Sequence, residues 1–462
     1  MGLLLHRYLQ KRARLKIAHK TLTFARILVL GAVSVVLCGA LLLSLPISAR
    51  GGVTVSLLDA LFTSASAACV TGLTVVDTAR TWSVFGQAII LCLMQIGGLG
   101  FMAITSVFFF VMRKKIGLSQ RLLMAQSLNL HDIEGVVGLI RHVLAGTFLF
   151  EGFGAFVMWF RFIPEYGFWN GLGMGIFHSV SAFCNAGFDL MGGGEPFSSM
   201  TAYAGDAVII TVTSFLVIVG GLGFFVWEDI WRNRRFKTLH LHSKLALAIS
   251  SSLILSGWIF FFITERLNPG TFGGMTTGGA ALASLYQSVM PRSGGLCVVD
   301  QASLTGISKM MTIIFMLIGG SAGSTAGGIK NVTVGIIFLS AVNSLRGRHR
   351  ISVFGRTIPE RQIISALSIF VIVLGTCLAG TVSISLIQPE LPFFSVVFET
   401  VSAVSTCGLS HGITATLAPA SLAIIILLML FGRVGIITLG MAVFINRNNS
   451  EKTKRPDTWV MM

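Results

Sequence analysis

Ser64–Leu73 reads Ser-Ala-Ser-Ala-Ala-Cys-Val-Thr-Gly-Leu, and three later segments repeat it. Aligned on one glycine they are Ser179–Phe188 (Ser-Val-Ser-Ala-Phe-Cys-Asn-Ala-Gly-Phe), Gln287–Leu296 (Gln-Ser-Val-Met-Pro-Arg-Ser-Gly-Gly-Leu) and Thr400–Leu409 (Thr-Val-Ser-Ala-Val-Ser-Thr-Cys-Gly-Leu). The shared glycines Gly72, Gly187, Gly295 and Gly408 recur every ~110 residues, too long a period for a solenoid repeat and long enough for a small membrane module. The third copy keeps its glycine and loses the Ser-Ala signature.

Composition sets the solvent. The 462 residues are 54% hydrophobic and only 11% charged, with a mean hydropathy of +0.83, where a soluble domain is about one quarter charged. The chain therefore reads as a polytopic, all-α membrane protein. Its net charge of +16 belongs to loops beside apolar spans, as expected of cytoplasmic Lys and Arg, and not to a nucleic-acid-binding module. The seven cysteines form no C-x-x-C pair and predict neither disulfides nor a zinc site.

A span needs about 20 apolar residues. Residues 1–22 form a basic arm on the inner membrane face. Four modules follow, at 23–115, 116–240, 241–350 and 351–446, before a tail at 447–462. In each, a span leads to an apolar segment too short to cross, then a glycine strip, then a second span. The span pairs are Phe24–Ile47 with Val84–Met112, Val136–Phe160 with Ala207–Trp227, Leu245–Thr264 with Met310–Val342, and Ile363–Ile387 with Leu422–Ile445. That predicts eight transmembrane helices and four re-entrant pore helices in pseudo-four-fold order around one pore. Most of the 34 Lys and Arg fall on one side, leaving Arg50, Arg80, Arg161, Arg266, Arg292 and Lys309 on the other. Both termini are accordingly expected in the cytoplasm and the strips are expected to enter from outside.

Non-helical backbone at membrane depth is tolerated only where protein or water satisfies it, so each strip should present carbonyls to an aqueous path. Rings of carbonyls can replace an ion's hydration shell, and each short helix would aim its negative end at a cation. A second repeat, Gly97–Gly100, Gly220–Gly223, Gly319–Gly323 and Gly432–Gly435, starts 25, 33, 24 and 24 residues beyond the strip glycines, where glycines let helices bend or pack closely.

Through the four strips and the interrupted second helix of module three, the chain resembles the membrane subunit of the Trk/Ktr/HKT cation transporter superfamily over nearly its whole length. It is most similar to the Ktr branch, since no extra spans precede the first module. The resemblance implies selective K+ uptake across the plasma membrane, with a Na+- or H+-coupled symporter of the same fold as the alternative and Na+ as the candidate co-ion. It implies a K+ filter of Val70, Thr71 and Gly72, Asn185, Ala186 and Gly187, Ser293, Gly294 and Gly295, and Thr406, Cys407 and Gly408. A serine at the first glycine position marks Na+-preferring members, so Gly72 implies K+ selectivity. The strip Pro291–Cys297 departs from the family's usual Thr-Arg-Thr-Ala-Gly-Phe-Asn. A homodimer in membrane lipid, one pore per chain, on a ring of nucleotide-binding subunits (ATP/ADP or NAD) is also implied, with no cofactor in this chain and no nucleic acid.

The stretch 318–330 contains Gly319, Gly320, Ser321, Ala322, Gly323, Ser324, Thr325, Ala326, Gly327, Gly328 and Lys330. So much Gly and Ser cannot hold a mid-span helix, and the stretch should loop into the cavity. Asn331 after Lys330, and no preceding strand, exclude a phosphate-binding loop. The resemblance makes this stretch a gate loop obstructing the pore. Arg433, standing at a glycine position of the fourth cluster, reads as a latch on its carbonyls or as a structural charge capped by carbonyls. Glu151 reads as a satisfied structural carboxylate, and Asp77 and Asp189 as carboxylates near the mouth. His178 and His411 show no metal-ligand spacing.

Overall fold

The computed structural model describes residues 26, 28–51, 53–100, 136–192, 195–347 and 351–435. Long and short helices alternate through it. The first repeat comprises α1 (Leu28–Leu43), α2 (Leu57–Ala68) and α3 (Val84–Leu99). The second comprises α4 (Val136–Tyr166), α5 (Phe168–Cys184), α6 (Ala207–Leu222) and α7 (Phe224–Asn233), and the third α8 (Leu241–Glu265), α9 (Thr277–Val289), α10 (Gly306–Leu317) and α11 (Asn331–Leu345). The fourth comprises α12 (Glu360–Ile387), α13 (Phe393–Ser405) and α14 (Pro419–Val434).

Among the described residues three helices are long and apolar enough to cross a membrane: Ile140–Tyr166, Leu241–Glu265 and Glu360–Ile387, with mean hydropathies of 1.6, 2.0 and 2.4. Their outward faces are bare of partners and apolar, as at Leu149, Ile263, Val371, Leu378 and Leu386. This is the surface a bilayer covers. The short helices α2, α5, α9 and α13 are the opposite, buried along most of their length, and their Phe62, Phe177, Tyr286 and Phe398 belong to the two main apolar clusters.

A repeated tie docks each short helix on the long one before it. Ser64 Oγ donates to Val36 O at 2.6 Å, Ser179 Oγ to Glu151 O at 2.6 Å and Ser288 Oγ to Ile254 O at 2.8 Å, while the Thr400 and Thr381 hydroxyls meet at 2.8 Å. Three residues beyond the accepting carbonyl stand Gly39, Gly154 and Gly257, each with the tying hydroxyl in the space where a side chain would begin. Small residues at the crossing permit backbone-close packing where apolar burial alone gives little drive in lipid.

The second helices end or bend at the glycine clusters, where the sequence places residues that let helices bend. Gly100, Gly223 and Gly435 end α3, α6 and α14 with φ of 82°, 94° and 88°, outside helical space. At Gly223 the chain turns by 90° into α7, so Ala207–Trp227 is not one straight helix. The expected spans beyond Gly100 and Gly435 run into 101–112 and 436–445, and the expected N-terminal arm and C-terminal tail are 1–22 and 447–462; these lie outside the described residues. The third repeat has α10, a loop and α11 in this place, matching the interruption read from sequence. A two-residue hairpin, with Ser352 opposite Thr357 and Val353 opposite Arg356, is an unanticipated addition; Phe354 and Gly355 take its left-handed turn positions.

Candidate functional site

The short helices α2, α5 and α13 converge on four backbone strips together with α9. Two positions before the key glycine, Val70, Asn185, Ser293 and Thr406 have φ of 56°, 59°, 80° and 46°, and the glycines Gly72, Gly187, Gly295 and Gly408 have φ of 91°, 71°, 71° and 93°. Left-handed residues thus alternate with ordinary ones along each strip. Two of the eight, Val70 and Thr406, are β-branched and sit there at a cost of about 1–2 kcal/mol each.

Bonds back to the helix hold the shape. Thr71 N donates to Ser66 O at 2.8 Å, Ala186 N to Ser181 O at 2.7 Å and Cys407 N to Ser402 O at 2.9 Å; Gly294 N reaches Met290 O at 2.8 Å. Ser66 Oγ and Ser402 Oγ accept from Gly72 N and Gly408 N at 3.0 and 3.1 Å, and Ser181 Oγ donates to Phe188 O at 2.6 Å. The corresponding third position is Val289, so that strip lacks the serine.

The four glycines close a ring. A Cβ on Gly72 would stand 2.5 Å from Ala186 O and 2.9 Å from Gly187 Cα; one on Gly187, 2.9 Å from Gly295 Cα; one on Gly295, 2.6 Å from Cys407 O; and one on Gly408, 3.1 Å from Gly72 Cα. Every side chain here would strike the next strip. With its amide turned so that the nitrogen faces the carbonyls, Asn185 donates to Ala182 O and Val217 O at 3.0 and 3.3 Å. The hydroxyls of Thr71 and Thr406 are buried with no partner among the described residues.

The glycine-rich loop lies against this ring. Its stem is Gly319 N to Ile329 O at 2.9 Å, Ile329 N to Leu317 O at 3.2 Å and Asn331 N to Gly320 O at 3.0 Å. Its tip binds the corner of α6: Ser321 N to Gly221 O at 2.9 Å, Thr325 N to Gly220 O at 3.2 Å and Phe224 N to Gly323 O at 2.8 Å. Gly327 lies against the fourth strip, where a Cβ would strike the Thr406 hydroxyl and approach Ser405 O to 2.9 Å. Lys330 Nζ folds back on Ala326 O at 2.7 Å. Arg433 donates to Thr325 O at 2.5 Å and to Gly97 O and Gly98 O, so one guanidinium joins α14, the loop and the end of α3.

The glycines of the second repeat sit against the last carbonyls of the short helices: Gly97 on Ala68 O, Gly220 on Phe183 O and Gly432 on Val404 O. In the third repeat Gly319 meets Gly327 O of the loop instead.

Asp77 accepts from Arg80 N and Phe197 N at 2.9 Å each, and Asp189 from Met191 N at 3.0 Å. Burial, and secondarily the Asp77 charge, push the Asp189 carboxyl up to about 6. Glu151 accepts from Gln95 at 3.1 Å and from Cys184 Sγ, the residue before the second strip, at 3.7 Å. Cys407 Sγ donates to Pro291 O at 3.1 Å across two strips. His178 Nε2 accepts from Leu190 N at 3.1 Å, and Ser395 meets His411 at 2.8 Å. Ser66, Ser402 and Glu399 were not singled out from sequence. Glu399 gathers Ser410 Oγ, His411 N and Thr414 Oγ1 at 2.5, 3.0 and 3.0 Å. The signal for it was positional, because nine residues before each glycine stand Thr63, His178, Tyr286 and Glu399.

The family model TrkH, cation transport protein, matches residues 40–453. The potassium/sodium uptake protein NtpJ of Enterococcus hirae is 38% identical over 98% of this chain and 99% of its own length. The Ktr system potassium uptake protein B of Bacillus subtilis is 40% identical over 89% of this chain and 91% of its own. The crystal structure of the potassium transporter TrkH from Vibrio parahaemolyticus superposes with a TM-score of 0.73, covering 91% of this chain and 84% of that one, at 17% identity.

Proposed function

The chain belongs to the TrkH cation transport family, and from that membership we propose that it takes up K+ selectively across the plasma membrane through the ring of Gly72, Gly187, Gly295 and Gly408. It is a membrane cation transporter and not an enzyme. The observation that carries the K+ reading is the alternation of left-handed residues in all four strips, which aims carbonyls at a common axis as an ion shedding water requires. The four modules, with boundaries as read from sequence, are then quarters of one pore. Both termini face the cytoplasm in this reading.

The loop 318–330 is the gate in this proposal, and Arg433 its latch. The Bacillus relative is named as part of a Ktr system, which favours a further component beside this chain; in this proposal the chain is a homodimer and that component is a separate nucleotide-binding regulatory subunit. The name of the Enterococcus relative pairs potassium with sodium and favours Na+-coupled uptake as the second reading. The test is K+ influx into proteoliposomes holding the intact transporter, with and without a Na+ gradient. K+ influx that ignores Na+ and is abolished by Gly187→Leu supports the selective pore. Influx strictly dependent on Na+ supports symport, and influx surviving Gly187→Leu removes the ring from the ion path.

A further inference from the structure

The third strip has lost the serine that braces its siblings, yet it carries a different hydroxyl. Ser293 is 1% exposed and left-handed, and its Oγ donates to Thr406 O, a carbonyl of the fourth strip, at 2.8 Å. The same oxygen accepts from Gly327 N of the glycine-rich loop at 3.1 Å. A hydroxyl has one proton and two lone pairs, so both bonds form at once and polarise each other.

A second connection runs beside the first. Arg292 Nη2 donates to Ser250 Oγ at 3.1 Å, and the Asn331 amide donates to Ser250 Oγ at 2.9 Å and to Ser321 Oγ at 3.0 Å. Consecutive residues of strip three are thus tied to the loop, Ser293 directly at Gly327 and Arg292 through Ser250 and Asn331 to Ser321. No other strip does so among the hydrogen bonds of the described residues with the loop backbone, the Thr325 contact with Phe183 being to a helix.

We infer that Ser293 is a positioning residue that couples the loop to the ion path: the hydroxyl held by Gly327 N in turn holds the Thr406 carbonyl, so withdrawal of the loop loosens one wall of the ring. Opening and selectivity are then linked quantities in this protein. The inference rests on reading the strips as filter and the loop as gate.

The test uses the full chain in proteoliposomes, with resting K+ influx and the K+ over Na+ preference read on each variant. Ser293→Ala is expected to raise resting influx and lower the preference together, each by about 2- to 10-fold, the range set by one net hydrogen bond. Ser293→Thr, which keeps the hydroxyl, returns both toward the parent. With Arg433→Ala already releasing the loop, Ser293→Ala adds less to either readout than it does alone, because coupled contacts are non-additive. A change in one readout without the other, full additivity with Arg433→Ala, or loss not rescued by threonine overturns the coupling. Ser293→Cys, close in size and weak as a hydrogen-bonding group, carries the same expectation if the alanine variant does not reach the membrane. Gly408→Ser is the separate control: unchanged preference there removes the filter reading itself, whatever Ser293 does.

Discussion

Arg433 Nη1 lies 2.5 Å from Thr325 O, joining the end of the last described helix to the middle of a loop 108 residues earlier in the chain. The same side chain reaches Gly97 O and Gly98 O at the end of α3. A buried guanidinium with carbonyls as its partners is a strong constraint, since charge-assisted bonds contribute about 1.5–3 kcal/mol each.

Arg433→Ala is therefore expected to raise resting K+ influx by about tenfold or more, the energy of one charge-assisted bond. Arg433→Lys, with a point charge in place of a planar fork, falls between. Rubidium influx into cells, normalised to transporter in the membrane, measures it; equal or lower influx counts against a latch.

Gly72→Ser is expected to lower K+ over Na+ preference by about tenfold, because its Cβ meets Ala186 O at 2.5 Å and Gly187 Cα at 2.9 Å and must push the second strip outward. The check is a competition series of K+ against Na+. The fold itself should survive, as the change leaves the helix ties intact.

The tie between α4 and α5 separates packing from transport. Ser179→Ala removes one hydroxyl bond and should lower stability by about 1 kcal/mol. Gly154→Leu is expected to be far worse, because Ser179 Oγ at 2.6 Å and Leu216 fill the space its side chain needs. Thermal unfolding of the detergent-solubilised protein ranks the two, and equal effects would exclude the close crossing as the cause.

Asp189 is expected to set a pH dependence. Its carboxyl is raised to about 6, so it is negative above that pH and neutral below. Loss of the charge near the ring lowers local cation concentration, and K+ influx should fall about 2- to 5-fold as external pH drops from about 7.5 to 5. Asp189→Asn should be low at both pH values and flat between them. A variant that keeps the parent's pH profile assigns the titration elsewhere.

The repeat was legible because its glycines answer a steric demand no other residue meets, and because short helices too apolar for loops stood before them. The interruption at 318–330 was legible for the same reason, Gly and Ser being poor helix formers. What sequence concealed was made by contacts between repeats. Left-handed Val70 and Thr406 run against their residue type, and only the surrounding bonds impose that conformation. The 90° turn at Gly223 hid because α6 and α7 together have the apolarity of one span, while Phe224 N finds Gly323 O in another repeat. Ser293 looked like a weakened copy, and its partners are 34 and 113 residues away.

The loop 318–330 occupies a place that only one copy can fill. It bonds to the corner of α6, to Ser293 of its own repeat and to Arg433 of the fourth, three different partners for one segment. Four identical subunits around the same axis would present four such loops and one space, and none of the four could have a unique neighbour to hold it. Joining the quarters into one polypeptide removes that stoichiometric conflict, since each quarter can acquire mutations independently of the rest. Covalent continuity is thereby what permits a single loop, held by three different neighbours, beside a ring built from four copies of one strip.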